Sequence, residues 1–589
     1  MIDRMRHFFN LLKLLMILGS SIVKGSKNKF KAEGLFDLGK LGLDGVDGMI
    51  IALDISEFVS VPKNPVISRT VEDFIITNVI ATDVNYDGDL LVMGSVDPSS
   101  SLNSDLKMEV WYGIDGTSFR PGIKIPSSLS PHPLVFDAEG TMAVDLLGLP
   151  SSLPGILKVW RNQADATQDS VPFAIKDIPF HEPVDCKLPN PHSNAFIDLD
   201  GDCLADVFLT CEAENGRISF QIWSNTKSHG YSLARSGVLP LGTKQVSFTD
   251  IDRDGTIDMV FVACPSDDEC SINVAYNQQI PLCTSGQRSN CRDPENLCTA
   301  DPNFQFSFDS TQPSPGWRDY NMDGFPDLLV IIEPIGSRRG SHGAPRLLES
   351  VQCDEKHCTE SQTSAKRRTF VPLSQGAEIL NSINDAKGAF FMDIGEDGTL
   401  DLVVQRANKN GPTSRSLAFI KNNYFNDAFF LKAIMLNGAC SSRCATRGNS
   451  TEHRPYGVNY AGASYKFTIQ DTYGKRRAAA GIFSFLRWTN NYVENLFVGS
   501  TRRQSAHFIN VEGLLPNSQL VIIPYQETGQ NSPVSWKKEL YLHPGDWIPW
   551  VTATLVAATL VLAIIVGVLH INEKREDERE RRRKAHTIK

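Results

Sequence analysis

The 589-residue chain contains no C-x-x-C pair, the spacing a zinc ribbon needs, and no cysteine before Cys186 or after Cys444. It has no G-x-S-x-G elbow, no H-E-x-x-H and no G-x-x-x-x-G-K-S/T loop, so no hydrolase, zinc-protease or nucleotide-binding signature stands out. Cationic side chains are in deficit, 58 Lys and Arg against 68 Asp and Glu, for a net charge of −10. A surface of that sign repels phosphate backbones and argues against nucleic acid as a partner. Glycosylation acceptors are scarce too. Asn449, in "NST", is the single one and implies a surface loop.

Long apolar runs number two. Phe8–Val23 follows Arg4, Arg6 and His7 and ends in small residues, the layout of a signal peptide over residues 1–25. Ile548–Leu569 is 22 residues without a charge, enough at about 1.5 Å per residue to cross a hydrocarbon core of about 30 Å. Trp547 and Trp550 stand at its outer edge, where indole rings favour the interface. Asn572–Lys589 carries eight Lys/Arg against five acids, a cytoplasmic flank by the positive-inside rule. The expectation is a single-pass type I protein of the cell membrane that enters the secretory pathway. Its span covers 548–570 and its cytoplasmic tail 571–589. The tail reads as a topogenic, solvated stub; the other reading is a basic surface for anionic lipid or a cytosolic partner. Leader and tail each contribute +3, which leaves −16 on residues 26–571, a surplus of acid suited to bound cations.

All twelve cysteines fall in this outer region, where an even count reads as disulfides. Cys264/Cys270, Cys353/Cys358 and Cys440/Cys444 are close enough in sequence to pair, while the full connectivity stays open. His357 beside Cys358 is a neighbour of a disulfide rather than half of a metal pair.

The acids are organised. "DIDRDGTID" places oxygen side chains at positions 1, 3, 5 and 9 of a loop, Asp250, Asp252, Asp254 and Asp258, with glycine at position 6. The frame recurs with Asp319, Asn321, Asp323 and Asp327, and with Asp198, Asp200, Asp202 and Asp206, where Cys203 replaces the glycine and implies strain. It recurs with Asp393, Asp397 and Asp401, without a ligand at position 3, and with Asp83, Asn85 and Asp87, where Leu91 holds position 9. Apolar runs follow each copy and precede most, so each acidic loop joins two strands. Calcium takes 6–8 oxygens at about 2.3–2.6 Å, which alternate residues of a tight loop can point inward together. Magnesium tolerates such irregular geometry poorly. An EF-hand needs Glu at position 12, and here that position is Phe261, Val330, Leu209, Val404 or Gly94. The reading is structural Ca2+ in hairpin loops, with the Asp250 and Asp319 loops complete.

Fainter echoes at Leu43–Asp54 and Asp137–Gly148 bring the series to seven units. The fold class expected is all-β: a seven-bladed propeller over 26–430, which leaves no free sheet edge, then a membrane-proximal β-sandwich over 431–545. The stretch "NKFKAEGLFDLG" is positioned to close the ring on the last blade. In the sandwich, Tyr456, Tyr460, Tyr465, Trp488 and Tyr492 read as half-buried strand residues rather than a recognition patch.

Loops of the form D-x-D/N-x-D-G-x-x-D before a strand resemble the FG-GAP repeats of integrin α-subunit propellers. With this topology, and with "PYGVNYAGASYKF", "DTYGKRRAA" and "NYVENLFVG" near the membrane, residues 30–589 resemble the T-cell immunomodulatory protein family, also called Linkin. The aspartate loops, rather than the FG and GAP words, carry the likeness. It implies a cell-surface glycoprotein in adhesion or immune modulation, with an extracellular protein partner and no catalytic residues. The alternatives are a shed soluble ectodomain and a membrane-tethered propeller hydrolase or lyase.

Overall fold

The structure, a computed structural model, describes most of residues 105–542, the helix 548–587 and short segments between 36 and 95. The predicted leader, Cys440 and Asn449 lie outside the described residues.

Short apolar runs between turns fold into antiparallel meanders. In chain order, a hairpin of Met49–Ala52 with Ile67–Thr70 precedes five four-stranded sheets and a five-stranded one. The first contains Ile75–Thr82, Asp89–Ser95, Asp105–Trp111 and Ile123–Leu129. The second contains Leu134–Phe136, Asp145–Gly148, Lys158–Asn162 and Phe173–Lys176. The third has Ala195–Ile197, Asp206–Glu212, Ile218–Asn225 and Tyr231–Val238. The fourth has Thr243–Thr249, Asp258–Ser266, Glu269–Gln278 and Gln305–Asp309. The fifth has Trp317–Arg318, Asp327–Ile332, Ala344–Gln352 and Arg368–Pro372. Ala386–Met392, Asp401–Ala407 and Arg415–Asn422 belong to the sixth. In each sheet the acidic segment links the first strand to the second, as the sequence pattern predicts.

Each sheet stacks on the next. On Asp206–Glu212, Phe208 joins a cluster shared with the fourth sheet, while Val207 and Leu209 join one shared with the second. Val110 meets Trp160 across the first and second sheets, Val260 meets Leu328 across the fourth and fifth, and Leu347 meets Leu402 across the fifth and sixth. Covered on both faces, the second strands read as continuous apolar runs rather than alternating ones. The series then ends on itself. Phe36–Gly39 pairs antiparallel with Arg415–Asn422, from Phe36 opposite Asn422 to Gly39 opposite Phe419. A strand from before the first sheet thus completes the last and covers an edge that would otherwise template aggregation.

Beyond Asn422 the topology changes. Phe429–Met435, Phe485–Trp488, Ser518–Ile523 and Lys537–Leu542 form one four-stranded sheet, in which Phe429–Met435 runs parallel to Ser518–Ile523. Ser464–Gln470, Arg476–Gly481, Val493–Gly499 and Phe508–Leu514 form another. The two sheets share a core of Leu431, Met435, Tyr465, Phe467, Leu496 and Ile522, the layout of a sandwich. Tyr460 and Tyr465 are buried in it; the other three side chains of the considered aromatic patch lie outside the described residues.

Residues 1–540 form one compact unit and 541–589 a second. The second consists mainly of the helix Ile548–Thr587, 40 residues that continue without a break into the basic segment. It is the one described helix long and apolar enough to cross a membrane, with a mean hydropathy of 2.6 in its most apolar stretch.

Five disulfides join described cysteines: Cys186–Cys211, Cys203–Cys298, Cys264–Cys270, Cys283–Cys291 and Cys353–Cys358. Two of the three close pairs considered from sequence are among them, and the third falls outside the described residues.

Candidate metal centres on an aspartate rim

Three consecutive loops, starting at Asp137, Asp198 and Asp250, share one internal geometry. The first aspartate accepts backbone N–H groups of its own loop. Asp198 Oδ1 takes Gly201 N at 2.8 Å and Oδ2 takes Cys203 N at 2.9 Å; Asp250 takes Asp254 N and Gly255 N, both at 3.1 Å. The position-9 aspartate is a clasp. Its Oδ2 accepts the position-2 N–H, from Ala138, Leu199 or Ile251, at 2.8–3.0 Å. Its Oδ1 accepts an N–H from the sheet's third strand, from Asn162, Asn225 or Asn277, at 2.7–2.9 Å.

Such tight wrapping forces left-handed backbone at two positions. Position 6 is Met142, Cys203 or Gly255, with φ of 64°, 71° and 91°, and position 4 is Gly140, Gly201 or Arg253, with φ of 69°, 95° and 59°. The need for glycine at position 6 was visible in the sequence, and Cys203 does adopt the strained conformation predicted for it. The same need at position 4 was missed.

The carboxylates press on one another. Burial first, then the neighbouring acids, raise Asp200, Asp206, Asp250 and Asp258 well above the usual carboxylate range, and raise Asp202 to about 6. Carboxylate oxygens of Asp250, Asp252 and Asp254 lie within 4.8 Å of one another, and so do those of Asp198, Asp200 and Asp206. Three oxygens at that spacing fit one face of a calcium shell. Asp327 and Asp401 also act as clasps, with Oδ1 of each accepting Ser350 N or Asn422 N at 2.8 Å. Asp83, Asn85, Asp87, Asp319, Asn321, Asp323 and Asp397 lie outside the described residues.

Nothing in the local sequence pattern announces what covers this rim, which is the sandwich. Asp137 Oδ2 accepts the hydroxyls of Tyr460 at 2.9 Å and Thr501 at 2.6 Å. Lys466 Nζ stands 2.9 Å from Asp198 Oδ2, with both side chains buried. Asp250 Oδ2 receives the backbone N–H of Ala480 at 2.9 Å. Lys432 Nζ lies 3.9 Å from Asp393 Oδ2. Between loops, Arg503 donates to Asn225 Oδ1 at 2.9 Å and to Ala138 O at 2.7 Å. A second unforeseen set is the asparagines that end the third strands in "VWRN", "IWSN", "VAYN" and "FIKN": Asn162, Asn225, Asn277 and Asn422. Their recurrence 17–21 residues after each position-9 aspartate was a readable signal.

Comparisons place these features among known proteins. A family model described as "ITFG1, C2 domain" matches residues 481–541. The T-cell immunomodulatory protein of Mus musculus is 29% identical over 609 residues, covering 96% of this chain and 91% of that protein. The Homo sapiens protein of that name is 30% identical over 553 residues, covering 87% and 83%. Protein linkin of Caenorhabditis elegans is 23% identical over 427 residues, covering 67% and 65%. A solved structure, Bombyx mori GH32 beta-fructofuranosidase BmSUC1, aligns at a TM-score of 0.22 and 9% identity over 79% of this chain and 82% of that one, too weak a likeness to bear on fold or function.

Proposed function

The chain belongs to the T-cell immunomodulatory protein family, and we propose that it works as a membrane-anchored adhesion or protein-interaction module built on a calcium-supported propeller. The observation that carries this reading is the series of stacked sheets, ended by a strand from before the first of them, whose Asp250, Asp252 and Asp254 oxygens gather within 4.8 Å. A buried Asp250 carboxylate beside two exposed ones suits a cation at the surface of the loop, and calcium suits an all-oxygen loop. Asp250, Asp252 and Asp254 would hold it, and the bound ion would stiffen the rim on which the sandwich rests.

The stacked sheets and the two-stranded hairpin at Met49–Ala52 support seven blades, with Phe36–Gly39 closing the last. A type I orientation puts ring and sandwich outside the cell, with Asn449 glycosylated and the basic end of the helix in the cytosol. The names of the mammalian and nematode relatives support an immune or adhesive role, and none of them names an enzyme. Because the sandwich covers the aspartate rim, an extracellular partner would meet the opposite rim, the sides of the ring or the outer sheet of the sandwich.

The test is a melt of the full-length chain in detergent micelles with calcium and with chelator, beside Asp250→Asn and Asp254→Asn. Linkage gives about 2.7 kcal/mol per site at a hundredfold excess over Kd. A calcium-dependent rise in Tm that both variants blunt is expected; a melt indifferent to calcium refutes the metal reading. The adhesive role is read from cells displaying the full chain, and failure to bind any neighbouring cell would count against it.

A further inference from the structure

We propose that Lys466 is the resident cation of the Asp198 loop: the chain fills this loop with its own ammonium group and so excludes a divalent ion from it, while the Asp250 loop stays open to one. The contrast with the Asp250 loop rests on the calcium reading above; the assignment of Lys466 rests on geometry alone.

Lys466 lies on Ser464–Gln470, whose side chains alternate between two buried faces. Tyr465, Phe467 and Ile469 enter the sandwich core. Ser464, Lys466 and Thr468 point the other way and are buried as well. That second face rests on the Asp198 loop. Ser464 Oγ donates to Cys203 O at 2.9 Å, and the neighbouring strand comes so close that a Cβ on Gly499 would lie 2.1 Å from Cys203 O. His507 Nε2 lies 2.8 Å from Asp202 O and fixes the far side of the contact.

The lysine is therefore held by packing on both sides, with its ammonium 2.9 Å from Asp198 Oδ2. An ammonium taken out of water persists only when paired, and Asp198 provides the pairing, with Asp200 and Asp202 of the same loop also feeling its charge. A divalent ion bound at about 2.4 Å from the same oxygen would sit next to that ammonium in a buried site, and two cations so placed repel. Arg292, also buried, adds positive charge that acts on Asp198, on Asp254 of the next loop and on Asp200. At Asp250 itself the sandwich contributes a backbone N–H at 2.9 Å, and the charges of Arg292 and Lys466 act on Asp254 of the same loop. Lys432 near Asp393 shows the sandwich sending a lysine to a second loop, one that lacks a ligand at position 3.

Calcium stoichiometry of the full-length chain in detergent micelles tests this by flow dialysis. Asp200→Asn is expected to leave the wild-type stoichiometry unchanged, and Asp252→Asn to lower it by one. Lys466→Met should raise it by one ion per chain, and adding Asp200→Asn should remove that ion again. Loss of an ion from the wild type on Asp200→Asn overturns the proposal, as does an unchanged stoichiometry in Lys466→Met. Where Lys466→Met does not fold, the charge-balanced pair Asp198→Asn/Lys466→Met decides. It should melt higher than Asp198→Asn alone, because it no longer buries an unpaired ammonium, and a melt no higher than that overturns the pairing. A wild type without ions beside a Lys466→Met variant with one would refute the Asp250 metal reading and leave this assignment standing.

Discussion

Asn277 ties one sheet to the next, and Asn277→Ala gives the most direct measure of that coupling. Its Nδ2 donates to Ile257 O at 3.0 Å within its own loop and to Leu199 O at 2.9 Å in the preceding one. The two carbonyls are not equally dependent on it. Leu199 O also accepts Gln279 Nε2 at 2.8 Å, whereas no other donor to Ile257 O was found among the described residues. Truncation therefore orphans one buried carbonyl, at about 1–3 kcal/mol, and removes a second bond worth about 0.5–1.5 kcal/mol. The sum is about 1.5–4.5 kcal/mol. Gln279→Ala is the control, because Leu199 O keeps Asn277 and Arg292 keeps its bond to Thr299 O at 2.9 Å. It loses its bond to Leu199 O and the one it accepts from Arg292 at 2.8 Å, about 2–4.5 kcal/mol together, but orphans no backbone carbonyl. Urea denaturation of the full-length chain in micelles reads both, with hydrogen exchange of the 199–206 segment as a local probe. Unchanged hydrogen exchange of the 199–206 segment in Asn277→Ala would refute the idea that the third-strand asparagines hold adjacent loops together.

Other expectations are narrower. Tyr460→Phe and Thr501→Val each remove one hydroxyl from the buried Asp137 carboxylate and should each cost about 1.5–3 kcal/mol in the same assay. The two hydroxyls also bond each other at 3.1 Å, so the double variant should lose less than the sum; strict additivity would count against a shared network. Burial raises Asp145 to about 6. Between about pH 4 and pH 6 the unfolded chain has released this proton while the folded chain keeps it, so stability falls as pH rises, by up to about 1.4 kcal/mol per pH unit. Asp145→Asn should flatten that part of the pH–stability curve, and an unchanged slope would refute the assignment.

Much of the fold was readable because each repeat carries its own local evidence. "DIDRDGTID" before "MVFV" specifies a turn and then a strand whatever surrounds it, and five second strands do begin at the ninth position, at Asp145, Asp206, Asp258, Asp327 and Asp401, while that of the first sheet begins two residues earlier, at Asp89. Closure through Phe36–Gly39 was also within reach, since a ring must end on something and the strand-like "NKFKAEGLFDLG" precedes the first repeat. The position-9 aspartates were read only as ligands. Their bonds to third-strand N–H groups depend on a residue 17–21 positions away, a spacing set by strand length rather than by the motif.

The docking of the sandwich was hidden for a different reason. "SYKFTIQ" alternates apolar and polar residues, which is the pattern of a strand with one wet face. Here the polar face is dry because it meets carboxylates instead of water, and periodicity reports polarity without naming the solvent that satisfies it. Lys466 and Asp198 are 268 positions apart, so no local window joins them. The net charge of −16 over residues 26–571 invited the inference that metal ions balance the acids. At two loops the balance already comes from lysines of the same chain, at 2.9 Å and 3.9 Å. Counting acidic loops therefore overestimates the metal this protein can hold. The better guide is which loops receive a lysine directly, and the loops at Asp198 and Asp393 do.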